Sequence, residues 1–250
     1  MEFITLRGII LKEVQYNEAD KILTVFSDKM GIIKVNAKGA KSLKRTDMAG
    51  LNRFCLGEYI LTENKNMYNV RECNIVTEFF DIRKDIKSLY LGCYILECVY
   101  MCACENQPDE ELFRLILNTL YAISKNKNSH TLIKSAFEMK LCQVMGSAFE
   151  ISECPACGEP FTFNSDVLFD FEESCFICEE CGAFSDSAIK VQNAVFLSLK
   201  HILNSDLKTF LSFRINEEFE KELSNLCEKY LLSNLEKIPN TLNYLKEAGI

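Results

Sequence analysis

Three observations predict an α+β multidomain chain. The first 80 residues alternate and are rich in β-branched side chains, the apolar period lengthens near Asp81, and two Cys-x-x-Cys-Gly knuckles stand in the second half. The expected order is a five-stranded β-barrel over 1–80 and an α-helical domain over 81–250. A four-cysteine zinc module at 151–187 interrupts the helical domain.

The barrel strands read ITLRGIIL, KILTVFS, GIIKVNA, EYILTEN and MYNVREC. Turn elements at Asn17 to Asp20, Asp28 to Gly31 and Glu63 to Asn66 separate some of them. Five strands in about 80 residues suit an oligonucleotide/oligosaccharide-binding (OB) barrel, and an SH3-like barrel would look similar. From Ile86 the residues Leu89, Tyr90, Cys93, Tyr94, Glu97, Tyr100 and Met101 follow helical spacing. Two more helices are expected at Glu110–Ser124, after Pro108, and at Ser129–Met145. The cysteines between Cys93 and Cys104 fit small apolar side chains on a helix better than a second metal site. After the module, helical patterning is expected to return from Ile189. Its apolar positions form one group at Ala194, Leu197, Leu199, Ile202 and Leu203, and another at Phe219, Leu223, Leu226, Tyr230 and Leu231.

Cys154 and Cys157 are separated from Cys178 and Cys181 by 20 residues. Two residues between paired cysteines let one tight turn aim both thiolates at a single tetrahedral cation. Cys175 adds a fifth candidate for four places. The glycines after each knuckle, Gly158 and Gly182, and the stiffening Pro155 favour Cys154, Cys157, Cys178 and Cys181. A closed, structural Zn2+ is expected, because a catalytic site would keep an open position. The two histidines, His130 and His201, also lie away from the knuckles.

The formal net charge is -8, unevenly placed: residues 1–80 hold 12 Lys+Arg against 10 Asp+Glu, leaving 16 against 26 for the rest. Lys38, Lys41, Lys44, Arg45 and Arg53 face only Asp47 within residues 36–53. Long cations on a Gly- and Ser-containing connection beside a barrel suit a phosphate backbone, and an ordinary solvated loop would have the same composition. The module carries no Lys or Arg from Leu141 to Ile189 and many carboxylates. Such a surface repels phosphates, so a sequence-reading zinc finger is not expected. Phosphate-loop, dinucleotide, nucleophile-elbow and HExxH signatures are absent, as is the H-x-E of zinc deaminases. No basic, apolar, small-residue leader opens the chain and no apolar run approaches a membrane span, so reduced thiols and a cytoplasmic location are expected.

Several segments, in order, resemble the bacterial RecO family of DNA repair and recombination mediators. They are Tyr16-Asn-Glu18-Ala-Asp20, Gly31, Ala37-Lys38-Gly39-Ala40, Phe137-Glu138 leading to Gly146, and the knuckles ECPACG and CEECG. The resemblance covers nearly the whole chain. It implies an OB barrel, a helical domain with an inserted zinc module, and a non-enzymatic activity. That activity is binding single- and double-stranded DNA, annealing complementary strands, and helping RecA replace single-strand-binding protein together with RecR, at the nucleoid. It implies DNA-binding roles for Lys38, Lys41, Lys44 and Arg45, to which Arg53 is added. It implies zinc ligation by Cys154, Cys157, Cys178 and Cys181, because Cys175 falls where relatives usually have a small residue. The link Ser147–Glu153 lacks the proline that relatives commonly place there. Two other function classes fit parts of the sequence: a zinc-stabilised protein–protein adaptor with incidental nucleic-acid contact, and a metal hydrolase.

Overall fold

The computed structural model describes residues 3–18, 20–39, 50–64, 67–163, 165–183 and 185–250. Two compact units emerge, one of Met1–Lys127 with Pro239–Ile250 and one of Asn128–Ile238.

In the first unit, strands β1 (Phe3–Gln15), β2 (Lys21–Ser27), β3 (Gly31–Ala37), β4 (Cys55–Asn64) and β5 (Met67–Glu78) close a barrel in the order β1-β2-β3-β5-β4. Neighbours are antiparallel except β3 and β5, which run parallel through Val35↔Tyr68. A parallel pair closing an otherwise antiparallel five-strand ring is the OB arrangement. β1 serves two partners, and a register shift between Ile10 and Lys12 gives it the bend that closure needs. Alternate side chains turn inward, so Leu6, Ile10, Leu23, Val25, Ile33, Val35, Tyr59, Leu61 and Val70 form the barrel core.

Helix α1 (Ile86–Cys102) is capped by Asp85, which accepts the Ser88 N–H at 2.8 Å. Helix α2 (Glu110–Lys125) is capped by Asp109 in the same way and ends on Asn126 in the left-handed conformation. Phe26 of β2 meets Phe113 of α2 edge to face at 5.7 Å. After α1 the chain binds back to the barrel: Ile32 N–H donates to Cys104 O and Asn106 N–H to Ile32 O. The approach is so close that a Cβ on Gly31 would lie 2.1 Å from Gln107 O, and its φ of +60° also suits glycine. The C-terminal helix Leu242–Glu247 belongs here too. Glu97 of α1 accepts the N–H groups of Asn240 and Thr241, and Tyr90 stacks on Tyr244 at 5.7 Å.

The second unit opens with α3 (His130–Val144), whose residues Leu132–Cys142 are buried on every face. Two lysines are among them. Lys134 Nζ lies 3.1 Å from Glu138 and 2.8 Å from Glu228, and Lys140 donates to Ser205 O at 2.5 Å. Strands β6 (Val167–Asp170), β7 (Cys175–Cys178) and β8 (Ala188–Val191) form a small sheet in the order β7-β6-β8, with a single helical turn, α4 (Glu179–Gly182), after β7. Helices α5 (Asn193–Asn204) and α6 (Glu217–Asn234) follow. Helical structure therefore resumes at Asn193; Ile189 lies in β8, because four residues of alternating character are too few to separate strand from helix by period. Phe149, Phe169, Phe176, Phe196 and Tyr230 interlock with ring centroids 4.9–5.8 Å apart, joining the sheet to α5 and α6. The proline-free link is fixed at both ends of this contact: Tyr230 Oη donates to Ser147 O at 2.6 Å and Phe149 is buried. Among the described residues no helix is long and apolar enough to cross a membrane.

Candidate nucleic-acid interface and metal centre

The connection that leaves β3 begins at Lys38 and Gly39. Lys38 is exposed. Gly39, at φ +66°, donates its N–H to Asp20 Oδ1 at 2.8 Å. Asp20 ends the β1–β2 turn, where Asn17 donates to its other oxygen at 3.1 Å. The Gly39 N–H, then Asn17, with the Lys38 charge as a smaller contribution, hold the Asp20 carboxyl below its usual range. The far end of the connection is fixed as well, by Gly50 N–H donating to Cys73 O at 3.0 Å.

Lys41, Lys44 and Arg45 lie outside the described residues. Arg53 is described, half-buried, and its carbonyl accepts the Arg83 guanidinium. Its side chain reaches Cys93 on α1: burial raises that thiol's pKa and the Arg53 charge opposes the rise. Lys38 is thus on the surface, whereas Arg53 is half-buried within the unit. Tyr16 lies beside the Asp20 anchor, its N–H donating to Asp20 O at 3.2 Å. It sits in the β1–β2 turn with 62% of its surface exposed, at the end of the barrel that carries Lys38. OB barrels use this turn to hold oligonucleotides.

In the second unit the Sγ atoms of Cys154, Cys157, Cys178 and Cys181 all lie within 4.8 Å of one another, which suits a metal ion. Cys157 and Cys178 are 3.8 Å apart, and a tetrahedral ion with about 2.3 Å bonds to sulfur has edges of about 3.8 Å. The first knuckle closes with Gly158 N–H donating to Cys154 O at 2.8 Å, with φ +77° at Gly158. The second lies at the junction of β7 and α4. There Gly182 packs so near Leu168 that a Cβ would stand 3.0 Å away. Burial pushes the Cys154 thiol up, but N–H donors of Cys178, Cys157 and Ala156 outweigh it and bring it to about 6. Cys181, hydrogen-bonded to Cys178 and Cys157, is pushed to about 12. Thiols so close resist ionising together, and a dication would remove that resistance.

Cys175 is not in the group. It starts β7 opposite Asp170. Asp170 instead binds the strap that follows the second knuckle, accepting Ser187 Oγ at 2.8 Å along with Ser185, and it accepts Glu172 N–H of the β6–β7 turn at 2.9 Å. The Ser185 and Ser187 hydroxyls hold its carboxyl at about 2. Cys98 is buried in α1, and Cys104 lies beyond that helix, exposed. Among the described residues the cysteines from Cys93 to Cys104 form no metal-type group.

Fold and site together define an OB-barrel protein whose helical part carries a four-cysteine centre able to hold a metal ion. The family model described as "Recombination protein O N terminal" matches residues 1–79, and "Recombination protein O C terminal" matches 83–242. The chain is 34% identical to the DNA repair protein RecO of Acetivibrio thermocellus over 246 residues, 98% of this chain and 97% of the relative. It is 27% identical to the protein of that name from Alkaliphilus metalliredigens, covering 98% and 99%. It is 26% identical to that of Clostridium novyi, covering 97% and 94%. The chain belongs to the RecO family.

Proposed function

We propose that the protein is a non-enzymatic mediator of DNA repair and homologous recombination. It binds single- and double-stranded DNA, anneals complementary strands, and with RecR assists RecA in displacing single-strand-binding protein, in the cytoplasm at the nucleoid. The observation that carries this is the basic connection from Lys38 to Arg53, fastened to an OB barrel at Gly39 and Gly50 in a RecO-family chain.

The chemistry needed is charge neutralisation without base readout. Lys38, Lys41, Lys44 and Arg45 contact phosphates of a bound strand and release its counterions. The bases stay free to pair with a second strand, whose repulsion from the first is reduced by the same cations. No bond is made or broken, consistent with the absence of catalytic signatures from the sequence. Cys154, Cys157, Cys178 and Cys181 hold a structural Zn2+, whose role is to cross-link the two knuckles. The three short strands of this module supply little core of their own, and the metal adds to what the aromatic cluster provides. DNA contact falls to the barrel, because the stretch around the knuckles is acidic.

An annealing assay with complementary oligonucleotides tests the proposal. The protein is expected to accelerate duplex formation at low salt and less at moderate salt. No acceleration at either salt would refute it.

A further inference from the structure

Phe80 and Tyr121 are among the exposed aromatic rings that the first unit carries outside its barrel. Phe80 opens the 3-10 turn Phe80–Lys84, in which Ile82 is the buried residue and Phe79 just before it is buried too. Phe80 points outward and is 50% exposed, and Tyr121 on α2 is 55% exposed. Each ring has a lysine beside it: Lys84 Nζ is 5.1 Å from the Phe80 centroid and Lys125 Nζ 5.3 Å from that of Tyr121.

The two pairs are neighbours. α2 packs on the turn. Asp81 forms an ion pair with Lys84 at 2.6 Å, and the charge of Lys125 also reaches its carboxyl. Lys87 and Lys127 are exposed nearby in sequence. Arg83 of the same turn donates to the Arg53 carbonyl, so the patch adjoins the far end of the β3–β4 connection. The acidic groups here are committed: Asp81 to Lys84, Glu78 to Arg83, and Asp85 to the α1 cap.

We propose that Phe80 and Tyr121 form an accessory stacking site for single-stranded nucleic acid, with Lys84 and Lys125 against the flanking phosphates. The site rests on the reading of the barrel as a DNA-binding element and extends it onto the helical flank. Every base has a π-face, so open rings beside cations suit a single strand of any sequence. Duplex bases are already stacked on one another, so duplex gains nothing from these rings.

The chain has no tryptophan, so Phe80→Trp places a lone indole at the site. An oligothymidylate of about 16 nucleotides, within the span of an OB barrel, is titrated against this variant. In parallel, anisotropy of the labelled oligomer and of a labelled hairpin duplex is followed for the unaltered protein and for Phe80→Ala/Tyr121→Ala. The expected result is quenching of the indole by the single strand and not by the duplex. The double alanine variant should bind the single strand roughly 5-fold more weakly per ring lost, with duplex affinity and melting temperature unchanged. An unquenched indole at saturation, with undiminished affinity in the alanine variant, overturns the site while leaving the barrel's DNA binding intact. Failure of the unaltered protein to bind either DNA overturns both. If the alanine variant melts early, quenching of the folded tryptophan variant decides.

Discussion

Asp20 accepts the backbone N–H of Gly39 at 2.8 Å and so joins the β1–β2 turn to the first residues of the basic connection. Two sequence motifs 19 residues apart thereby become one structural element. The connection therefore leaves the barrel from a fixed point. Asp20→Ala removes that anchor without touching the core. The expected outcome is single-strand affinity reduced roughly 2- to 10-fold, the scale of ordering a short segment on binding, with little change in melting temperature. Fluorescence anisotropy checks it, and unchanged affinity would show that the anchor is irrelevant to binding.

The four-sulfur geometry predicts one equivalent of metal in the purified protein. Cys154→Ser and Cys181→Ser should each lose stoichiometric zinc and lower both solubility and melting temperature. Cys175→Ser should keep it, since Cys175 faces Asp170 across the β6–β7 pair and stands outside the cluster. Because protons compete with metal for thiolates, zinc release should increase as pH falls. Metal analysis by emission spectrometry after dialysis gives the answer. Loss of metal from the Cys175 variant would break the ligand assignment.

Lys134 is fully buried between Glu138 and Glu228. Burial alone would lower its pKa, but the two carboxylates outweigh this and the pKa is raised. A raised folded-state value means that the contribution to stability is complete below the unfolded pKa and is lost as pH climbs through the folded one. At neutral pH the ion group is therefore intact. Lys134→Met leaves Glu138 charged and buried without its cation, with an expected cost of about 3–5 kcal/mol. Adding Glu138→Leu should recover much of that. Urea unfolding of the single and double variants tests the coupling; two equal, additive losses would contradict it.

The barrel strands were legible because their side chains alternate, and the helices because their apolar spacing and the Pro108 start signal are local. The knuckles were legible for the same reason: two residues set the bite of each thiolate pair. The parallel β3–β5 pair was not, since it joins Val35 to Tyr68 through no local pattern. Nor was the ion group on α3, because Lys134 and Lys140 read as surface residues until α5 and α6 bury them. Strand β8 was absorbed into the following helix, its four residues being held by pairing with β6 and not by their own period. Arg53 looked like one more loop cation and is half-buried beside Cys93, a contact made across the fold.

In the proposed function the β3–β4 connection carries the DNA. A salt titration of single-stranded DNA binding tests it most directly, comparing the unaltered protein with a variant in which Lys38, Lys41, Lys44 and Arg45 are all changed to Glu. Each phosphate contact on a single strand contributes about 0.7 to the slope of log affinity against log salt. The variant should therefore lose most of its affinity at low salt and show a slope shallower by about 3. Equal affinity and equal slope for the two proteins would mean that these cations are solvated bystanders and that DNA binds elsewhere.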